Sequence, residues 1–335
     1  MPSDGLGLYR AAAVCCAVLA VACVLFCGRG QRRWAAFPAL VAAGMMCWIT
    51  DAICGNPAAG PAVWASTALG RLCGVIDSCT FSHESTRALA RALLTGDRTG
   101  LDYGTVAVFR KAGAAHILAL SGLHLGIIYA IISALLSVTG NTRAAAMGRS
   151  LTTVALCACY TFITGAGAST VRALLFIIFR EISVHNASRR HSGTDILCTA
   201  LTIHLLLRPS DVESLGFQLS YLAMLGIFEI APLLRAFWPD DGGKIGIMRR
   251  IWDSATIALA CQMTTAPLLW FRMGVIPGHF LLTNILALPL AEGLIVCSVA
   301  AIAAAALGIP SETAESLTDH LAQALLYVLE IISGM

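Results

Sequence analysis

The chain has 335 residues, of which 58% are hydrophobic and only 12% charged, with a formal net charge of +3. A soluble domain carries roughly twice that share of charge, so composition argues against an ordinary water-soluble globule. Several apolar runs approach the roughly 20 residues needed to cross a bilayer. The expected fold class is all-α: a multi-pass transmembrane helical bundle of about nine or ten spans, with amphipathic or re-entrant helices on its outer face.

In chain order, the first apolar run covers about 8–27. It is too long for the core of a signal peptide, and Arg29, Arg32 and Arg33 follow it, so it reads as a retained span with its amino end outside. A second run covers about 34–53, giving residues 1–55 two N-terminal spans. Residues 56–112 form a polar external segment. Residues 113–335 form a transmembrane core, with runs near 114–138, 150–166, 168–186, 194–207, 215–234, 253–271 and 280–307 and a last apolar helix from about Leu317. Clustered basic residues in short connections face the cytoplasm. Arg29-Arg32-Arg33, Arg143-Arg149, Arg180-Arg189-Arg190 and Arg235-Lys244-Arg249-Arg250 alternate correctly with these runs.

The thirteen cysteines do not read as a disulfide scaffold, because most sit in apolar runs as small hydrophobes. Cys54, Cys73 and Cys79 fall in the polar segment, where an oxidising compartment would let them pair. No Cys or His spacing fits a metal site, and no cofactor is expected.

The external segment breaks the charge pattern, since it holds Arg71, Arg87, Arg91, Arg98, Arg110 and Lys111. A solvated loop is one reading; a basic surface that attracts a polyanion is the other. Within it, HESTRALARALL has a helical pattern that puts Arg87 and Arg91 on one face, and LLTGDRTGLD reads as a turn.

Polar residues inside the apolar runs are the strongest functional signal. AAHILALSGLHLG carries His116, Ser121, Gly122 and His124. On one helix of about 100° per residue, the two histidines and the serine share a broad face near 0°, 140° and 80° for His116, Ser121 and His124. Ionisable groups at that depth generally face a bundle interior or a wet cavity. A water-lined path and a structural hydrogen-bonded network both fit. Metal binding fits poorly, and a Ser-His nucleophile lacks an orienting acid, so no enzyme activity is expected. GAGASTVRALL places Arg172 just inside a run after small residues; it could snorkel to the interface or serve a pore. SLGFQLSYLAMLG contains Gln218, with Ser214 and Tyr221 on its face. LLTNILALPL sets Asn284 before Pro289, which reads as a broken or re-entrant helix. Glu292 is the deepest carboxylate; a proton or ion role is one reading, and a bond to a neighbouring helix is the expected one.

Taken together, ALLTGDRTGL, FRKAGAAHILALSGLHLGII, GAGASTVRALL, LRPSDVESLGFQLSYLAMLGI and LLTNILALPL resemble, in order and spacing, the core of the ComEC-type competence DNA channels. The resemblance runs from about Arg87 to Leu307. It implies a multi-pass channel in the bacterial cytoplasmic (inner) membrane that passes single-stranded DNA into the cytoplasm during natural transformation. By motif position it assigns His116, Ser121, Gly122, His124, Arg172, Phe217, Gln218 and Asn284 to the path or its support. Arg87, Arg91, Arg98, Arg110 and Lys111 would supply a DNA-binding outer vestibule, and Phe217 or Tyr221 could stack with bases.

The chain also departs from the family pattern. About 55–83 is too short for the external OB-type barrel of many members. The sequence ends at Met335 without an HxHxDH-like motif, so the expectation is that a separate protein supplies nuclease activity or that this is a minimal homologue with altered work. No P-loop is present, so a cytoplasmic motor or another gradient must drive transport, with a DNA receptor as a further partner. Three other readings stay open: a secondary transporter for a small anionic solute, an intramembrane hydrolase using Ser121 and His124, and a non-transporting scaffold.

Overall fold

The computed structural model describes residues 63–139, 142–185, 192–237, 246–274, 278–309 and 311–334. The two N-terminal runs, Cys54, and the basic residues at 29–33, 189–190 and 244 lie outside the described residues. Every regular element among the described residues is helical.

The segment expected to be external is not a loop. It forms α1 (Val63–Ser78), α2 (Glu84–Thr95) and α3 (Tyr103–Lys111), followed by the single turn α4 (Ala115–Leu118). In α2, Leu89 and Leu93 are four apart and stack on one face. They pack with Phe109 of α3 into a core shared with two C-terminal helices, α12 (Phe280–Ala306) and α13 (Glu312–Gly334). Gly96 ends α2 in a left-handed cap at φ 77, and Asp102 starts α3 by accepting the Thr105 N–H at 2.9 Å. Cys73 and Cys79 are buried and free, so they form no disulfide.

Side-chain bonds fasten these layers. Thr283 of α12 is fully buried and donates to the Ala112 carbonyl at 2.5 Å. Asp319 of α13 accepts the Ser82 N–H at 2.7 Å, and Glu315 accepts the Thr80 hydroxyl.

The second layer is α5 (Gly122–Leu136), α6 (Arg143–Ile163) and α7 (Ala168–His185), packed around Leu125, Cys157, Leu174 and Ile177. The third adds α8 (Gly193–Leu207) and α9 (Leu215–Leu225), packed on α7 around Leu197, Leu205, Phe217 and Tyr221. Beyond α9 the chain runs through a π-helical turn at Gly226–Ile230 into α10 (Ala231–Arg235). Pro232 has no N–H to give the preceding turn, and the backbone accommodates it by the wider register, with Ala231 N–H reaching the Gly226 carbonyl. The next helix, α11 (Ile247–Met273), crosses there. A Cβ on Gly226 would lie 2.5 Å from the Ala260 carbonyl oxygen, so only glycine permits that approach.

Among the described residues, three helices are long and apolar enough to cross a membrane: Ala144–Ile163, Leu215–Arg235 and Phe280–Ala306. Gly122–Leu136 is apolar but shorter. The other described helices are shorter or more polar: α8 has 15 residues, and α7 carries Arg172, Arg180 and Glu181. Large apolar side chains, including Leu151, Leu233 and Phe271, stand exposed on outer faces, as suits a protein of the membrane.

Two expectations are corrected. The run 114–138 is not one helix: Ala119 and Ser121 are extended, and α5 begins afresh at Gly122. Ser121 caps that new helix, so the single helical wheel drawn through His116 and His124 does not apply. Conversely, α12 does not break at Pro289; it continues to Ala306 with the proline inside. Inside a packed bundle, neighbouring groups can compensate the lost bond.

Replacing Thr283 with Val keeps the shape but strands the Ala112 carbonyl. Thermal melts of the purified protein in nanodiscs should show destabilisation of about 1–3 kcal/mol; an unchanged melt would remove this bond from the account of how α12 is held.

Candidate transport site

The motif residues converge where the N-terminal ends of α5 and α7 meet. Gly122 opens α5 directly against α7: a Cβ there would lie 2.8 Å from Arg172 Nη2, 3.2 Å from the Ala173 methyl and 3.7 Å from the Ser169 carbonyl oxygen. The missing side chain is what lets the guanidinium lie over the turn. Arg172 is only 8% exposed, its Nε has no hydrogen-bond acceptor, and no carboxylate pairs with it among the described residues. Tyr221, Cys261 and His204 lie within electrostatic range. One turn before Arg172, the Ser169 hydroxyl bonds to Ser220 Oγ at 3.2 Å, which ties α7 to α9.

The loop that launches α7 is held in an uncommon conformation. Ala166 has φ 47, in the left-handed region that disfavours a Cβ, and its carbonyl accepts Arg208 Nη1. Arg208 follows α8, so the start of the Arg172 helix is fixed by the connection between α8 and α9.

That connection contains a network. His204 is fully buried. Its Nε2 lies 3.0 Å from Asp211 Oδ2 and its Nδ1 3.1 Å from the Tyr221 hydroxyl. A carboxylate only accepts, so Nε2–H donates to Asp211 and, in the neutral ring, Nδ1 accepts from Tyr221. Phe217 meets His204 edge to face at 5.0 Å and Tyr221 at 4.6 Å. Phe217 is buried in this cluster rather than open to a strand. Gln218 turns back and donates to the Val212 carbonyl at 2.8 Å, bracing the 3₁₀ turn Pro209–Glu213; its Oε1 is buried without a donor.

On the other side of the turn lie the remaining motif residues. His124 Nδ1 accepts the Ser121 N–H at 3.0 Å and lies 2.7 Å from its hydroxyl, which completes the cap of α5. In the neutral ring the proton is then on Nε2, which is buried and without a partner. His116 is bonded to the Gly113 carbonyl at 3.1 Å and to Asn284 of α12 at 3.2 Å, and its ring lies 5.5 Å from that of Phe280. His116 keeps accessible surface beside α12. His124 and His116 are within electrostatic range of each other. Glu292 is half-buried in α12, with no hydrogen bond or ion pair to another described residue.

The basic residues of the outer segment divide in two. Arg87 pairs with Glu84 at 2.6 Å, Arg91 with Asp97 at 2.8 Å and Asp77 at 3.5 Å, and Arg98 donates to the Leu118 carbonyl at 3.1 Å. Arg98 therefore braces α4. Arg110 and Lys111 stand exposed at the end of α3, without an ion pair among the described residues. Asp97 is held below the ordinary carboxylate range by the Thr99 N–H, then by its hydroxyl and by Arg91.

His204, Asp211, Arg208 and Ser169 were not singled out from sequence. A histidine in the apolar run LTIHLLL, followed by Asp211 after one turn and a loop, was the available signal.

These features define a helical membrane protein with polar contacts between its helices and, among the described residues, a buried cation without a carboxylate partner. The chain belongs to the competence protein family, whose model matches residues 93–335. It is 25% identical over 202 residues to ComE operon protein 3 of Bacillus subtilis (strain 168), an alignment covering 60% of this chain and 23% of that one. It is 27% identical over 205 residues to an uncharacterized protein of Aquifex aeolicus (strain VF5), covering 61% of this chain and 45% of the other. The matched part thus spans less than half the length of either relative. No solved structure matches the chain.

Because the folded-state pKa of Asp97 is depressed, the stability it contributes is present above the unfolded carboxylate value and is lost as pH falls through the folded one. The gap in melting temperature between the wild type and Asp97→Asn should be full at neutral pH and close as pH falls below about 4. A gap independent of pH would contradict an ionised Asp97 bracing the turn.

Proposed function

We propose that the protein is a channel in the bacterial cytoplasmic membrane that passes single-stranded DNA to the cytoplasm during natural transformation. Membership of the competence family supports a role in DNA uptake, as does the similarity to a protein named for the ComE operon. The observation that carries the reading is Arg172: a buried guanidinium with no carboxylate beside it among the described residues. An isolated buried charge is strongly unfavourable. A transported anion that passes it supplies the missing charge, and phosphodiesters suit a guanidinium because they accept two parallel N–H bonds.

In this reading the chain crosses the membrane about nine or ten times, and Arg110 and Lys111 form the open part of the basic entrance. Arg87, Arg91 and Arg98 order that entrance through their own partners. The chain acts as a conduit rather than an enzyme. Ser121 and His124 are occupied in capping α5, and no described carboxylate orients the imidazole. A separate nuclease, a DNA receptor and a cytoplasmic motor complete the route.

A transporter of a small anionic solute would also use Arg172, and the experiment separates the two. Strains carrying Arg172→Gln or Gly122→Val should lose transformation by roughly tenfold or more at matched membrane levels, as expected for removing or displacing one charge-assisted contact. Arg172→Lys should recover part of the loss. Normal transformation in both of the first two variants would overturn the assignment.

A further inference from the structure

We propose that the accessible face where His116 meets the start of α12 is a nucleobase subsite, in which the His116–Phe280 ring pair and the Asn284 amide hold one unstacked base of the passing strand. The inference rests on the DNA-transport reading and adds to it a second kind of contact, to bases rather than phosphates.

The chemistry follows from one backbone carbonyl. Gly113 O lies 3.1 Å from His116 Nδ1 and can only accept, so Nδ1 carries a proton. In the neutral ring, Nε2 is then an acceptor. Its neighbour at 3.2 Å is the Asn284 side chain, whose oxygen and nitrogen are interchangeable by rotating the amide. With the amide turned so that Nδ2 donates to His116, the Asn284 oxygen and one remaining N–H are left side by side. That pair is a donor and an acceptor on one planar edge, the pattern an asparagine uses to meet a base. His116 therefore positions the amide, and Asn284 offers its free edge.

The apolar half of the subsite is built from rings. His116 and Phe280 lie 5.5 Å apart at 46°, with His116 accessible and Phe280 half-buried. Tilted rings with accessible surface offer a π face that any base can use, which suits a protein that must carry every sequence. Phe217 and Tyr221 do not compete for this task, because they pack on His204 in a closed cluster. His124 Nε2–H, buried and without a partner, lies within electrostatic range of His116.

The test uses the full chain in nanodiscs and two fluorescent probes: a short oligothymidylate and an abasic strand of equal length and charge. The wild type should bind the oligothymidylate roughly tenfold more tightly than the abasic strand, the scale of one stacked base. Asn284→Leu and, independently, Phe280→Leu should collapse that ratio towards one while leaving abasic binding unchanged. Arg172→Gln should weaken both strands alike. Equal binding of the two strands by the wild type would overturn the subsite and leave DNA transport standing. Variants that keep the full ratio, or that lose both strands equally, would also overturn it. Binding of neither strand by the wild type would sink the DNA reading itself, and the subsite with it.

Discussion

Arg172 is the constraint around which the rest of the seam is arranged. A guanidinium taken out of water, with no carboxylate beside it among the described residues, must be held by surroundings that tolerate it. The fold meets that demand from three helices. Gly122 withholds its side chain so that the guanidinium lies over the start of α5. Ser169 and Ser220 tie α7 to α9 one turn away. Arg208 clamps the strained Ala166 loop that sets where α7 begins. The Asp211–His204–Tyr221 chain then fixes the neighbouring aromatic wall, since each member is satisfied by the next.

Polar residues that share a motif thus divide by task. Ser121 and His124 shape the turn; Gln218 braces the 3₁₀ connection; Phe217 fills a core. Arg172, His116 and Asn284 are the groups that the proposed reading assigns to a ligand. The division explains why a short apolar sequence carries so many ionisable groups: most of them hold the few that act. It also explains the break between α4 and α5. A continuous helix would spend the Ser121 N–H on its own backbone, whereas the break turns Ser121 and Gly122 towards α7.

Helix positions were largely legible from the apolar runs. The run at 168–186 is the helix Ala168–His185, and that at 194–207 is Gly193–Leu207. The helical pattern of HESTRALARALL and the turn after it also appear as α2 and the Gly96–Asp102 link. Three things were not legible. The break at Ala119–Ser121 is set by a cap between two side chains, and apolar periodicity does not register a cap. Pro289 reads as a breaker because the sequence does not show the neighbours that pack around it. His204 was passed over because a single histidine in an apolar run is ordinarily a satisfied core residue; its partners Asp211 and Tyr221 come from the following turn and helix. At the site, sequence named Arg172, Gly122, His116 and Asn284 but could not show which of them meet. That Arg172 has no counter-ion among the described residues is a statement about distances, and only the fold supplies it.

The central claim is that the Arg172 guanidinium is a phosphate contact inside the protein. The most direct measurement is the affinity of single-stranded DNA for the full chain in nanodiscs across a salt series, wild type against Arg172→Gln. The account predicts weaker binding by the variant and a log–log salt slope shallower by about 0.7, the value of one phosphate contact on a single strand. Identical affinity and identical slope in the two proteins would contradict it.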